Sequence, residues 1–202
     1  VLKNHALRIQ HPNLVNHTGS LLVALPTLLD PNFRRTILLL THHDPKEGSL
    51  GFVLNRPREK FLGELTDAPR GLSDVAVFDG GPVERQNLIL TRLHWREEGV
   101  RFQSLSEEDF TFKEEETLFS QDDPTANNGQ SLRAFTGYAG WSAGQLEQEI
   151  AEKSWHLMKP TAEMLLPINT PEEGMKRWKS IMKTLGPWYH LLAQTPDNLS
   201  LN

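Results

Sequence analysis

Short apolar runs bounded by turn residues recur along this chain, and each has the length of a buried strand rather than a helix. Leu21–Leu25, Thr36–Thr41, Leu50–Leu54, Val75–Phe78 and Leu132–Tyr138 read in this way. Leu88–Trp95 and Val100–Gln103 read as a hairpin turning at Glu97-Glu98-Gly99. Asp30-Pro31 is a turn- or helix-starting pair, since proline presets φ and aspartate can cap. The segment HHDPKEGS then carries the chain into Leu50–Leu54. Strands joined this closely must run antiparallel, because a parallel crossover needs about a dozen residues or more. Phe61–Leu65 has the look of a short helix, Ser106–Phe110 of a helix start and Asp122–Gly129 of a loop.

Two segments switch to helical periodicity. Ser142 and Gln145 form an S-x-x-Q capping box ahead of LEQEIAEK. Thr170-Pro171-Glu172-Glu173 repeats the signal, with proline at the first helical position. In that second helix Met175, Trp178, Ile181, Met182 and Leu185 share one face, and Gly186 stops it. Strands in runs with helices inserted predict an α+β fold: one domain with a largely antiparallel or mixed sheet, able to curl towards a barrel, and helices packed on it. The expected boundaries are an N-terminal arm or helix over 1–18, the domain over 19–190 and a tail over 191–202.

Composition narrows the classes. The 202 residues suit one large domain, and the net charge is −5, from 26 acidic and 21 basic side chains. Such a balance repels phosphate backbones on average, so direct DNA binding would need a local basic patch. Acidic clusters at 107–109, 114–116 and 122–123 read as solvated faces or loops. The absence of cysteine removes disulfides and thiolate chemistry and suits a reducing cytoplasm. No apolar run approaches the ~20 residues of a membrane span, and VLKNHALRIQHP does not read as a signal peptide. The expectation is a cytoplasmic protein with no membrane association.

Three blocks carry a family resemblance: Gly19–Pro57 (GSLLVALPTLLDPNFRRTILLLTHHDPKEGSLGFVLNRP), Phe78–Val83 (FDGGPV) and Gly137–Ile150 (GYAGWSAGQLEQEI). In that order they resemble the AlgH/YqgE family of small bacterial proteins. The resemblance implies a regulator of transcription, as the family is labelled, but brings no defined chemistry, no cofactor and no metal. The chain departs from the pattern in a longer DPKEG loop after His43 and in the region Glu107–Gln130.

Several residues are candidates for chemistry. Gly140-Trp141-Ser142-Ala143-Gly144 fits G-x-S-x-G between a strand and a helix, the setting of a nucleophile elbow. Ser142 would then attack a carbonyl, with His156 or His190 as base and Glu163 or Glu173 orienting it. Against a hydrolase, about 60 residues follow Ser142, little room for the rest of that fold. Ser142 also has a sufficient task as a cap, and the resemblance implies that the two positions after the tryptophan vary. The glycines of this block are better explained by tight packing beside Trp141 and Tyr138 than by an anion site. His42, His43, Asp44 and His94 invite a metal, but neighbours in a strand point to opposite faces and no H-x-x-x-H spacing exists. By resemblance, His43 and His94 align with family histidines and suggest a shared polar cluster instead. Asn55-Arg56-Pro57 and Gly80-Gly81-Pro82 each end a strand. Were those ends neighbours, Asn55, Arg56, Gly80, Gly81, His94 and Trp141 would line one polar pocket for a carboxylate or phosphate. The competing explanation is an internal Arg–carboxylate pair beside a tight turn. A nucleic-acid surface would rest on Arg34-Arg35 and on Lys176, Arg177, Lys179 and Lys183, with Trp188-Tyr189 following. The preferred function is a non-enzymatic regulator or adaptor working through an unidentified protein partner or small ligand. The alternative is an enzyme, either a Ser142 hydrolase or one using the Asn55/Arg56 pocket.

Overall fold

Strands β1 (Leu21–Ala24), β2 (Ile37–Asp44) and β3 (Gly48–Val53) are apolar at consecutive positions because both their faces are covered. Side chains alternate between two cores. Leu21, Val23, Ile37, Leu39 and Phe52 enter the first, and Leu22, Ala24, Leu38, Leu40 and Val53 the second. The computed structural model describes residues 16–68, 71–96, 99–105 and 129–195. The expected helix start at Ser106–Phe110, nearly all of the 122–129 loop and most of the N-terminal arm lie outside these residues, as do the three acidic clusters.

The remaining strands are β4 (Pro57–Phe61), β5 (Ala76–Asp79), β6 (Val83–Arg96), β7 (Gly99–Ser104), β8 (Gly129–Trp141) and β9 (Trp155–Met158). Their order is β4-β5-β8-β3-β2-β1-β9, with β6 paired to β8 and β7 to β6. All pairs are antiparallel except β5 with β8. The sheet is mixed and open, ending at β4 and β9, so the curl towards a barrel does not close. One α+β domain results.

Helices α1 (Gln145–Ala151), α2 (Ala162–Leu165), α3 (Pro171–Leu185) and α4 (Pro187–Ala193) cover the faces. From α2 to α4, Leu165, Trp178, Ile181, Met182 and Ala193 close the first core. Leu146 of α1 joins Trp141 and Trp155 in the second. There one Glu149 oxygen accepts both indole N–H groups, from Trp141 at 2.9 Å and Trp155 at 2.8 Å. No described helix is long and apolar enough to cross a membrane.

Helix α3 is capped as its sequence predicts. Thr170 Oγ1 accepts from the Glu173 N–H (3.2 Å), the Glu173 carboxylate accepts from the Asn169 N–H (2.8 Å), and Gly186 ends the helix at φ 126°. Helix α1 differs. Its cap is Gly144 at φ 74°, and of the expected box only the return bond forms, from the Ser142 N–H to Gln145 Oε1 at 3.0 Å. A left-handed residue at 144 delays the helix, so Ser142 is left one turn ahead of it. The predicted helix at Phe61–Leu65 is a short 3-10 turn, Leu62–Glu64. β6 begins earlier than its apolar pattern indicates, because a register shift between Val83 and Leu88 carries the exposed residues 84–87.

The glycines of the second and third family blocks meet each other. The Gly80 N–H donates to the Thr136 carbonyl at 3.0 Å, and the Gly80 carbonyl accepts from Val53 at 3.0 Å. A Cβ on Gly80 would stand 2.3 Å from the Gly137 oxygen. One on Gly137, itself at φ 70°, would stand 2.6 Å from the Gly81 oxygen and 2.7 Å from that of Val83. Backbones cross here at a distance no side chain permits. Gly144 has an equally left-handed φ but open space around its Cβ position. Gly137→Ala should therefore cost more than the ~1–2 kcal/mol of left-handed strain alone, adding about 1–3 kcal/mol of overlap. Gly144→Ala should show only the strain. Urea unfolding of both variants measures the difference; equal losses would contradict the crossing.

Candidate functional site

The strand exit at Asn55-Arg56 is built as a clamp. Asn55 is 5% exposed. Its Oδ1 accepts from the Ile37 N–H at 2.8 Å, and its Nδ2 donates to the carbonyls of Arg35 (3.0 Å) and Gly174 (3.3 Å). A Cβ on Gly174 would come within 2.2 Å of the Asn55 carbonyl, so α3 lies directly on this strand end. Arg56 turns the other way. Its guanidinium donates to the carbonyls of Asn32 (2.7 Å), Arg34 (3.1 Å) and Pro31 (3.4 Å), holding the DPNFRR turn. Its partner is thus a row of carbonyls rather than the carboxylate expected for an internal pair.

That clamp brings arginines from three turns around one cavity of about 600 Å³. Arg34 and Arg35 come from the β1–β2 connection, Arg56 and Arg58 from the start of β4, and Arg85 from the start of β6. Asp79 is the carboxylate in the lining, and Thr136, Asn55, Pro57, Pro171 and Met175 complete it. Arg58 donates to Thr136 Oγ1 at 3.0 Å. Arg85 donates to Asn32 Oδ1 at 3.1 Å and to the Gly81 carbonyl at 3.4 Å. Arg35 donates to the Thr195 carbonyl and lies over the Trp178 ring, 5.7 Å from its centroid. Burial pushes the Arg56 guanidinium below its ordinary pKa; Asp79 and Asp30 oppose that, while the positive charges of Arg34 and Arg85 add to it. Like charges are gathered here beyond what the local carboxylates balance.

The other predicted residues lie elsewhere. Trp141 is on the second-core face, bonded to Glu149. Gly80 gives its N–H to Thr136, and Gly81 reaches the cavity only through the carbonyl that accepts from Arg85. His94 sits on the β6–β7 hairpin among Arg92, Arg96 and Arg101, and burial together with those charges lowers its pKa. His43 keeps different company: it is 3% exposed, with Nδ1 2.9 Å from Ser49 Oγ, Nε2 3.4 Å from Glu147 Oε1 and its ring 5.0 Å from that of His17. Among the described residues no group of histidines and carboxylates has the geometry to hold a metal. Ser142 is exposed, and its hydroxyl bonds no histidine among the described residues. His156 alternates with Trp155 on β9 and so faces the first-core side, where α4 carries His190. The sheet stands between both histidines and the α1 side. Arg177, in the suggested basic stripe of α3, is half-buried and donates to the Leu166 and Met164 carbonyls.

A family model described as AlgH-like matches residues 21–190. The chain belongs to the AlgH-like family. Relatives of this family named UPF0301 protein include one from Thermobifida fusca, 34% identical over 95% of this chain and 98% of its own length. Another, from Chlorobium limicola, is 32% identical over 91% of this chain and 95% of its own length. The AlgH-like fold is also seen in the solution structure of AlgH from Pseudomonas aeruginosa (TM-score 0.58, 22% identity, 93% of this chain and 98% of that one). A crystal structure of a Corynebacterium diphtheriae protein matches with a TM-score of 0.62 at 18% identity, over 92% of this chain and 95% of that one.

Sequence reasoning missed Arg58, Arg85, Asp79 and Thr136. A usable signal existed: arginines recur at three strand-end punctuations, DPNFRR, NRPR and GGPVER. Separating clamp from cavity wall is a matter of substitution. Asn55→Ala strands a buried N–H and two carbonyls and should cost about 2–3 kcal/mol in urea unfolding. Arg85→Gln, at an exposed position, should leave the urea midpoint almost unchanged. Loss of folding on Arg85→Gln would instead make the arginine cluster a stability device.

Proposed function

We propose that this AlgH-like protein is a non-enzymatic regulator or adaptor of the bacterial cytoplasm that responds to a small anionic ligand. Any effect on transcription then passes through a protein partner rather than through DNA contact. The observation that carries this reading is the cavity with five arginines and one carboxylate in its lining. Guanidinium groups match oxyanions bidentately and keep their charge when partly buried. A molecule that brings compensating charge relieves the mutual repulsion of Arg34, Arg56 and Arg85, so it stabilises the folded chain. The bacterial relatives and the lack of cysteine support the compartment. The formal charge of −5 and the internal bonds of Arg177 speak against a DNA surface on α3. The exposed Ser142, with the sheet between its helix and His156, favours the non-enzymatic side.

Two measurements test this. Inorganic phosphate should raise the melting temperature saturably, beyond sodium chloride of equal ionic strength, and Arg85→Gln should remove the rise. An equal effect of chloride would defeat the anion reading. A fluorophosphonate probe should leave the protein unlabelled; labelling lost in Ser142→Ala would favour the hydrolase.

A further inference from the structure

The cavity has two unlike walls, and the second wall narrows the class of ligand. We infer that its ligand is a nucleoside diphosphate or a close relative: two linked phosphoryl groups on the arginine wall and a flat ring against Pro57, Pro171 and Met175. This rests on the anion-binding proposal above and deepens it.

Three observations lead there. The first is charge. Five guanidiniums against Asp79 leave an excess that a single inorganic phosphate does not balance. A terminal phosphoryl group of about −1.5 to −2 with one further inner group brings roughly three negative charges. The second is donor supply. Arg58 commits one bond to Thr136 and Arg85 two, to Asn32 and Gly81. Each guanidinium has five N–H donors, so most of theirs are uncommitted to the described protein. They come from different strands, which suits two anionic groups in sequence rather than one. Arg56, by contrast, is spent on the carbonyls of residues 31, 32 and 34 and acts as scaffold.

The third observation is size and apolar surface. About 600 Å³ lies in the range of roughly 300–1,000 Å³ typical of small-molecule sites and exceeds the need of a lone oxyanion. Pro57, Pro171 and Met175 add an apolar side to that cavity. Proline rings and a thioether are flat or adaptable surfaces for a heterocycle, and Met175 is half-buried on the first turns of α3. A purely inorganic ligand gains nothing from them.

Isothermal titration of the full chain with inorganic pyrophosphate, ADP, GDP, CDP and UDP, and with adenosine as an uncharged control, decides the matter. At least one nucleoside diphosphate should bind about tenfold or more tightly than pyrophosphate, and adenosine should not bind measurably. Arg58→Gln and Arg85→Gln should each weaken the diphosphates and pyrophosphate alike. Met175→Ala should erase the nucleotide's advantage while leaving pyrophosphate affinity unchanged. Pyrophosphate binding as tightly as every nucleotide would overturn the ring assignment and leave the anion reading standing. No binding of pyrophosphate or any nucleotide at millimolar concentration would overturn both. Binding indifferent to the two arginine variants would place the ligand elsewhere and overturn the inference as well.

Discussion

Everything around the cavity depends on one buried amide. Asn55 joins the first residue of β2, the carbonyl of Arg35 and the helix α3 backbone at Gly174, three segments with no covalent reason to meet. Each bond is ordinary in length. Their placement at a strand end fixes where the chain turns, and therefore where the next residue, Arg56, can reach. Arg56 then organises the carbonyls of residues 31, 32 and 34, which sets Arg34 and Arg35 on the same side as Arg58. A cluster of guanidiniums repels itself, so it persists only where the surrounding fold over-determines it. The Asn55 clamp on one side and the glycine crossing on the other supply that constraint.

The crossing matters for the same reason. β8 must pair with β6 and β5 along its first part and with β3 at its end, and Gly137 lies between these regions. With Gly80 and Gly81 packed against it, the β5–β6 connection is pressed onto β8 and delivers Asp79 and Arg85 to the cavity rim. Backbone rigidity at bare glycines, and not an activated side chain, is what two of the three family blocks encode. Trp141 belongs to the same economy: with Trp155 and Phe33 it fills the second core, and Glu149 satisfies both indoles.

Much of the scaffold is legible in the sequence, and the limits are physical. Consecutive apolar residues in Leu21–Ala24 and Ile37–Leu40 announce strands covered on two faces, and Thr170, Pro171 and Gly186 announce α3 and its ends. The α1 cap is misread because Ser142–Gln145 matches the box while Gly144 offers a cheaper left-handed start. The polar first part of β6 carries no period-2 signal, since residues 84–87 are exposed. Asn55 and Arg56 are visible as a strand end, but their roles as clamp and scaffold depend on which carbonyls come near, and that follows from sheet order. Arg58 and Arg85 stand 27 positions apart in the chain and meet only because β5 lies beside both β4 and β8. His43 and His94 go to separate neighbourhoods for the same reason: β3 intervenes between β2 and β8, and β6 lies beyond.

The central claim is that the arginine cavity is a specific anion site, distinct from other basic surface such as the Arg96–Arg101 hairpin. Arginine Nε–H resonances, followed by NMR during a phosphate titration at constant ionic strength, test it most directly. The account predicts saturable shifts of Arg58 and Arg85 with those of Arg96 and Arg101 nearly still. Uniform, non-saturating shifts across all four would contradict it.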